Sequence, residues 1–217
     1  MFEQLFGSGK SSTLVEAAFE DVSKMLRQSA TMLDHSLSAL LENEPLEVDL
    51  DNMDDVVDDG ERMVRRTILA HLTVNPKQDL VASLILVSMV QDAERIGDFA
   101  RGLVELIELA GSPREGAYCD KLRSLASRLR PMFETCEQAF REDDSQKASE
   151  VIAEHARLKK ALADYTQEVA GSGLSSDMAI VYASAARMLR RISAHLSNIA
   201  SSVVQPYDRI RHGDESV

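Results

Sequence analysis

The stretch "LVASLILVSMVQDAERIGDFARGLVE" (80–105) begins as an apolar run and continues as an amphipathic helix pattern. The apolar run at 80–90 is only about half as long as a bilayer-spanning helix, so it predicts a buried helix and not a membrane span. Beyond it, apolar and charged residues occupy opposite helix faces. The apolar set is Ile96, Phe99, Leu103, Leu106 and Ile107, and the charged set is Glu94, Asp98, Arg101 and Glu105. The pattern predicts a long helix at about 77–110 whose carboxylates face away from the core.

Five further segments show the same three- and four-residue apolar spacing between helix breakers. They lie at about 13–42, 48–73, 114–142, 145–170 and 174–205. Pro131 falls inside the 114–142 segment, and its missing N–H predicts a kink near Ser127. The chain has no Trp and only 5 Pro. Since helix-forming residues dominate its composition, the predicted fold class is all-α, with six long helices.

A boundary near "GSPREG" (111–116) divides the six helices into two sets of three. Shifting the chain by 96 residues lays "ERIGDFARGL" (94–103) over "RRISAHLSNI" (190–199), and the helix order and lengths then correspond. This correspondence indicates a tandem duplication. The predicted organisation is a flexible N-terminal lead at 1–12, a three-helix bundle at 13–110, a second three-helix bundle at 114–206 and a tail at 207–217.

Acidic residues outnumber basic ones by 36 to 24, which gives a formal net charge of −12. Such a chain repels a phosphate backbone, so we expect no nucleic-acid partner. Cys119 and Cys136 fall on one predicted helix about 25 Å apart, beyond disulfide reach, which suits a reducing cytoplasm. The start "MFEQLFGSGK" has too short an apolar stretch for a signal peptide. We therefore expect a cytoplasmic location.

The stretch "FGSGKSSTL" (6–14) is similar to the end of a nucleotide-binding P-loop. A P-loop needs a glycine five residues before Gly9, because the tight loop around the phosphates depends on it. Gln4 stands there, and no buried strand precedes the stretch. Neither cysteine has a motif beside it, and no Ser, His and Asp arrangement can be placed from the sequence. We expect no nucleotide cofactor and no catalysis.

Acidic residues recur at helical spacing on two consecutive helices. They are Asp54, Asp58 and Glu61 in "DDVVDDGE" (54–61), and Glu94 and Asp98 in "ERIGD" (94–98). Like charges on one helix face repel, so these pairs need compensation from water, arginines or a cation. Carboxylate oxygens suit Mg, Mn or Fe, although acids on an exposed face are more often simply solvated. Gly97 lies inside the helix, where glycine indicates a close helix approach or a ligand against the backbone.

The sequence "QDAERIGDFARGLVE" (91–105) resembles the ERIGD signature of the PhoU family, regulators of bacterial phosphate uptake and signalling. "DDVVDDGE" is similar to the acidic motif that precedes this signature, and "PKQDL" (76–80) resembles its Pro-to-Asp-Leu turn. The likeness covers about 13–205. It implies two tandem three-helix bundles.

The resemblance also implies sites for iron or zinc clusters, or for other divalent cations such as Mg or Mn. By motif match the ligands are Asp54, Asp58, Glu94 and Asp98, and the further candidates are Glu61, Arg95, Gly97, His195 and Asn198. His195 is more typical of a hydrogen-bonded packing residue than of a ligand. In the second repeat, Arg190 and Ala194 stand at the acidic places of ERIGD, and His155 and Lys159 at those of the other motif. Since Arg and Lys are donors only, the cation site is predicted in the first repeat alone.

The function that the resemblance implies is regulation by protein contact. The partners are a phosphate transporter, of the ABC type or sodium- or proton-coupled, and/or a sensor histidine kinase. The protein would then lie in the cytoplasm, peripheral to the inner membrane through its partner, and a homodimer is an open alternative. Two other functions remain: a metal-free helical adaptor, and a di-metal carboxylate oxidase. The oxidase needs two ExxH motifs, and the sequence has none.

Overall fold

The computed structural model describes residues 13–209, which form seven α-helices and a short 3₁₀ turn, with no strand among them. The helices are α1 (Thr13–Leu41), α2 (Leu50–Val74), α3 (Leu80–Glu105), α4 (Ala117–Ala126), α5 (Leu129–Glu142), α6 (Ser145–Ala170) and α7 (Ser176–Val204), and the 3₁₀ turn is Tyr207–Arg209. The all-α prediction is confirmed. The predicted lead at 1–12, the P-loop-like residues before Thr13 and the tail beyond Arg209 lie outside the described residues.

Two three-helix units follow one another along the chain. In the first, α1, α2 and α3 pack against each other, and in the second α5, α6 and α7 do so, with α4 lying against α6 and α7. The units join mainly through α3 and α7, the third long helix of each. Because α3 contacts α1, α2 and α7, the middle of its apolar face is covered: Ile96 and Leu103 are both 0% exposed.

The segment predicted as one kinked helix at 114–142 is divided into α4 and α5. The break falls at Ser127 and Arg128, where hydrogen bonding tightens: the N–H of Arg128 donates to the Leu125 carbonyl at 3.3 Å. Pro131 lies four residues after Ser127 and has no N–H for the Ser127 carbonyl. The kink predicted near Ser127 is therefore confirmed.

The helix predicted at 77–110 is shorter at both ends in the structure. Asp79 has a left-handed backbone (φ 54°), so α3 begins only at Leu80. The buried His71 ring supports this turn through a 3.0 Å hydrogen bond between Nε2 and the Gln78 carbonyl. After Glu105 the bonds change to the tighter i to i+3 pattern, as in the 3.0 Å bond from the Ile107 N–H to the Val104 carbonyl.

The structure also bears on the predictions made for the apolar run at 80–90 and for the two cysteines. No helix within residues 13–209 is long and apolar enough to cross a membrane, in agreement with the interpretation of the 80–90 run. Cys119 and Cys136 are both free thiols, and both are fully buried. They lie on α4 and α5, so the single helix assumed for their separation is two helices.

Candidate functional site

The two predicted acidic stripes face one groove between α2 and α3. Asp49 caps the N-terminus of α2 by accepting from the Asn52 N–H at 3.0 Å, and a short turn at 75–79 returns the chain along α3. The groove carboxylates are Asp54, Asp58 and Glu61 on α2 and Glu94 and Asp98 on α3, and we call this set the acidic groove. The charges of Asp58 and Glu61 act on Glu94, and that of Asp98 acts on both Glu94 and Asp54. The structure thus brings together the carboxylates that the sequence singled out.

Glu94 is the most perturbed carboxylate of the acidic groove. Its pKa is raised from 4.5 to about 7, mainly by burial and next by the negative charge of Asp98, against the opposing charge of Arg95. Only 16% of the Glu94 side chain is exposed, and its Oε2 lies 3.4 Å from Arg95 Nε. Because the pKa lies near neutrality, a small change in local charge at this position changes its protonation.

Asp54 is equally covered, with 16% of its side chain exposed. Burial raises its pKa, the nearby Arg101 guanidinium lowers it, and the charge of Asp98 raises it again. Arg101 Nε donates to Asp54 Oδ2 at 2.9 Å, and Arg101 also lies 3.4 Å from Glu105. A guanidinium from α3 therefore supplies part of the compensation that the like charges require.

The remaining carboxylates are also paired with arginines. The pairs are Asp98 with Arg95 at 2.8 Å, Asp58 with Arg62 at 3.3 Å, and Glu61 with Arg65 at 2.7 Å. All three are local pairs along one helix, and the guanidinium side chains are about half exposed. Ion pairs of this kind contribute only about 0–1 kcal/mol each. These arginines balance part of the negative charge of the groove. Because each pair is weak, replacing an arginine by another cationic partner costs little free energy.

Gly97 lies where α3 approaches α2 closely at the acidic groove. A Cβ at this position would lie 3.2 Å from Asp54 Oδ1 and 3.5 Å from Val57 Cγ1. The first distance is tighter than ordinary contact, and Asp54 is held on its other side by Arg101. Of the two interpretations that the sequence left open at Gly97, the structure shows the close helix approach.

The donor chemistry of the groove suits a hard cation, because all five side chains present oxygen. The arrangement as it stands does not form such a site: within residues 13–209, no three His, Cys, Asp or Glu side chains are placed to hold one metal ion. Arginines occupy the compensating positions instead. The groove therefore fits cation binding by chemistry and not by its present geometry.

His195 and Asn198 lie elsewhere, at the interface between α3 and α7. His195 Nδ1 bonds to Asp92 Oδ1 at 2.7 Å, and Asn198 Nδ2 donates to the same oxygen at 3.0 Å. Asp92 is only 2% exposed. The sequence favours the interpretation of His195 as a hydrogen-bonded packing residue over that of a metal ligand. These contacts agree with that interpretation, since the partner of His195 is a buried carboxylate. Sequence reasoning missed Asp92, although an acid three residues after Met89 and four before Ile96 falls within an apolar stripe.

The second repeat presents opposite charge at the corresponding place. His155 on α6 bonds through Nδ1 to the Ser193 hydroxyl on α7 at 3.0 Å. The pKa of His155 is lowered from 6.5 to about 4, mainly by burial and next by the positive charges of Lys159 and Arg190. At the place where the first repeat has carboxylates, the second repeat has Lys159 and Arg190 next to the neutral imidazole of His155.

Comparison with known proteins gives a consistent result. The PhoU domain family model matches the chain twice, at residues 22–107 and 122–203. The PhoU phosphate transport system regulatory protein of Streptococcus pneumoniae has a similar structure, with a TM-score of 0.76, 17% identity, and coverage of 92% of this chain and 96% of that one. PhoU of Pseudomonas aeruginosa gives a TM-score of 0.76 at 21% identity, over 88% of this chain and 95% of that one. At these identities the likeness shows the shared fold. A search of curated proteins gave no match.

Proposed function

This chain belongs to the PhoU family, and from that premise we propose that it regulates phosphate transport and phosphate-starvation signalling by contact with other proteins. The two family matches cover both three-helix units. The S. pneumoniae protein of the same fold is a phosphate transport system regulatory protein. We propose a role without catalysis, in the cytoplasm and peripheral to the inner membrane through the partner.

The acidic groove carries the proposed mechanism. Its carboxylates are paired with arginines on the same helices or, for Asp54, with Arg101 across the groove. A basic surface on a transporter or a sensor kinase can replace these weak intramolecular pairs, because exposed pairs are worth little. Complementary charge then sets the orientation of docking and speeds association. Preferential docking onto one conformation of the partner shifts that partner's equilibrium.

Reversing one groove charge tests the docking surface. In Asp58→Arg the groove gains a positive charge on α2, so we expect it to lose the transporter or kinase that cross-links to the parent protein in phosphate-replete cells. A phosphate-starvation reporter should then be expressed although phosphate is present. Asp164→Arg is the matched control, because Asp164 is an exposed acid on α6. If Asp58→Arg captures the same partner and represses the reporter normally, or if the parent protein captures neither a transporter nor a kinase, this proposal fails.

The cation site on Asp54, Asp58, Glu94 and Asp98 stays a prediction, with iron, zinc, magnesium or manganese as candidates. For an ion to bind, Arg95 and Arg101 have to turn toward solvent, and their exposed fractions of 50% and 37% give them room to do so. Metal analysis of untagged protein, repeated with Asp98→Ala, tests it. A metal content that falls in the variant supports the site. Equal contents, or none in either protein, leave a metal-free adaptor that acts by contact alone.

A further inference from the structure

The groove between α6 and α7 contains cations that have no acidic partner. In the first repeat, every arginine except one forms an ion pair with a carboxylate, as Arg62 and Arg95 do. Lys159, Arg187 and Arg190, in contrast, make no ion pair with any of residues 13–209, and we call them the basic groove. In a chain whose acids exceed its bases by 12, three cations left together without partners are unexpected from composition.

The basic groove encloses space as well as charge. Its volume is about 460 Å³, and the side chains of Gln167, Arg187 and Arg190 line it above small residues such as Ala163 and Ala183. Lys159 precedes Ala163 by one helical turn on α6. Small-molecule sites in proteins typically measure about 300–1,000 Å³, so the space suits a small ligand or an anion with its water.

Its position corresponds to the acidic groove of the first repeat. Arg190 stands in α7 where Glu94 stands in α3, and Lys159 stands in α6 where Asp58 stands in α2. The two cations both act on His155, just as the charge of Asp58 acts on Glu94. The second repeat therefore carries cations at two positions where the first carries carboxylates.

We propose that the basic groove binds a phosphoryl oxyanion, either as free inorganic phosphate or as the phosphate group of a small metabolite. Two guanidiniums on one helix present planar pairs of N–H donors that match phosphate oxygens. The Gln167 amide adds a neutral donor, and Lys159 adds a third positive charge. The net charge of −12 disfavours nucleic acid as the source of the phosphate. This inference goes beyond regulation by contact, and it holds whichever protein is the partner.

Calorimetric titration of the purified chain at constant ionic strength tests the proposal, with inorganic phosphate and adenosine monophosphate as the two probes. We expect saturable binding of at least one probe. Arg187→Gln and Arg190→Gln should each raise its Kd roughly tenfold, because each removes one charge-assisted contact. Tighter binding of the nucleotide identifies a metabolite, whereas equal or tighter binding of phosphate identifies the free ion.

Arg66→Gln is the matched control, since Arg66 is an exposed arginine on α2, away from the basic groove. It should bind the probe as the parent protein does. Both groove variants replace surface or half-exposed side chains with a good helix former, so circular dichroism should show them folded. Three results overturn the proposal: no saturable binding of either probe up to about 10 mM, unchanged affinity in Arg190→Gln, or an equal loss in Arg66→Gln.

Discussion

Replacing Glu94 by glutamine is expected to stabilise this protein at alkaline pH when no divalent cation is present. Glutamine keeps the shape of the side chain and removes the negative charge. In the parent protein that charge is largely buried and lies in the field of Asp98, Glu61 and Asp58. Ionisation of Glu94 therefore costs more in the folded state than in the unfolded state.

The magnitude follows from the shift in pKa. A rise from 4.5 to about 7 corresponds to about 3 kcal/mol, at about 1.4 kcal/mol per unit. Between these two pH values the folded state keeps a proton that the unfolded state has released, so the contribution of Glu94 to stability falls as the pH rises. This net shift already includes the favourable charge of Arg95, which lowers the pKa of Glu94. We expect Glu94→Gln to be about 2–3 kcal/mol more stable than the parent at pH 8, and nearly equal to it at pH 4.

Urea denaturation of both proteins at pH 4 and pH 8, in a chelating buffer, measures this difference. Comparing variant with parent at each pH cancels the contributions of other titrating groups. Glu108→Gln is the control, because Glu108 is exposed at the end of the α3 region and should change stability by less than about 0.5 kcal/mol at either pH. A Glu94→Gln variant that is no more stable than the parent at pH 8 would refute the reasoning from burial and like charge.

Three further outcomes are expected. Asp92→Ala removes the hydrogen-bond partner of the buried His195 and of the half-buried Asn198, so urea unfolding should show a loss of about 3–5 kcal/mol. Asp164→Ala on the surface of α6 should lose less than about 0.5 kcal/mol. Since His155 has a pKa of about 4 in the folded state against 6.5 normally, the unfolded state binds its proton first and stability rises with pH across this window. His155→Gln should remove that rise, and an unchanged pH dependence contradicts the assignment. Burial raises the pKa of Cys136 to about 12 and also raises that of Cys119. Both thiols should react with a thiol reagent at pH 8 only after unfolding, and rapid reaction in the native protein would contradict their burial.

Helical periodicity was sufficient to predict the all-α fold, the six helical segments and the kink that Pro131 imposes. The prediction failed at the ends of α3, where Asp79 adopts a left-handed backbone and the bonds after Glu105 tighten. Contacts between segments accompany those ends: His71 of α2 bonds to the Gln78 carbonyl before α3, and the Gly111 N–H donates to Asp177 of α7 after it. Spacing within one helix carries no information about them.

Helical spacing also predicted which acids share a face, because residues four apart on a helix lie on the same side. It could not show that Glu94 and Asp54 are mostly covered while Asp98 and Asp58 are about one-third exposed. Coverage depends on how closely α2 and α3 approach at Gly97, and only the packed structure sets that distance.

The sequence was sufficient to show that the second repeat carries cations, but it could not show where those cations lie relative to each other and to carboxylates. Sequence identified Arg190 and Lys159 as cations at places where acids were expected, and so excluded a cation site there. Tertiary structure decided that Arg190 lines a groove, that Lys159 lies one helical turn before it, and that neither has a carboxylate partner among the described residues. It also decided that Asp92 contacts His195 across the two repeats. An ion pair or a buried hydrogen bond requires two side chains to come within a few ångströms, and between residues distant in sequence only the packing of the helices determines this.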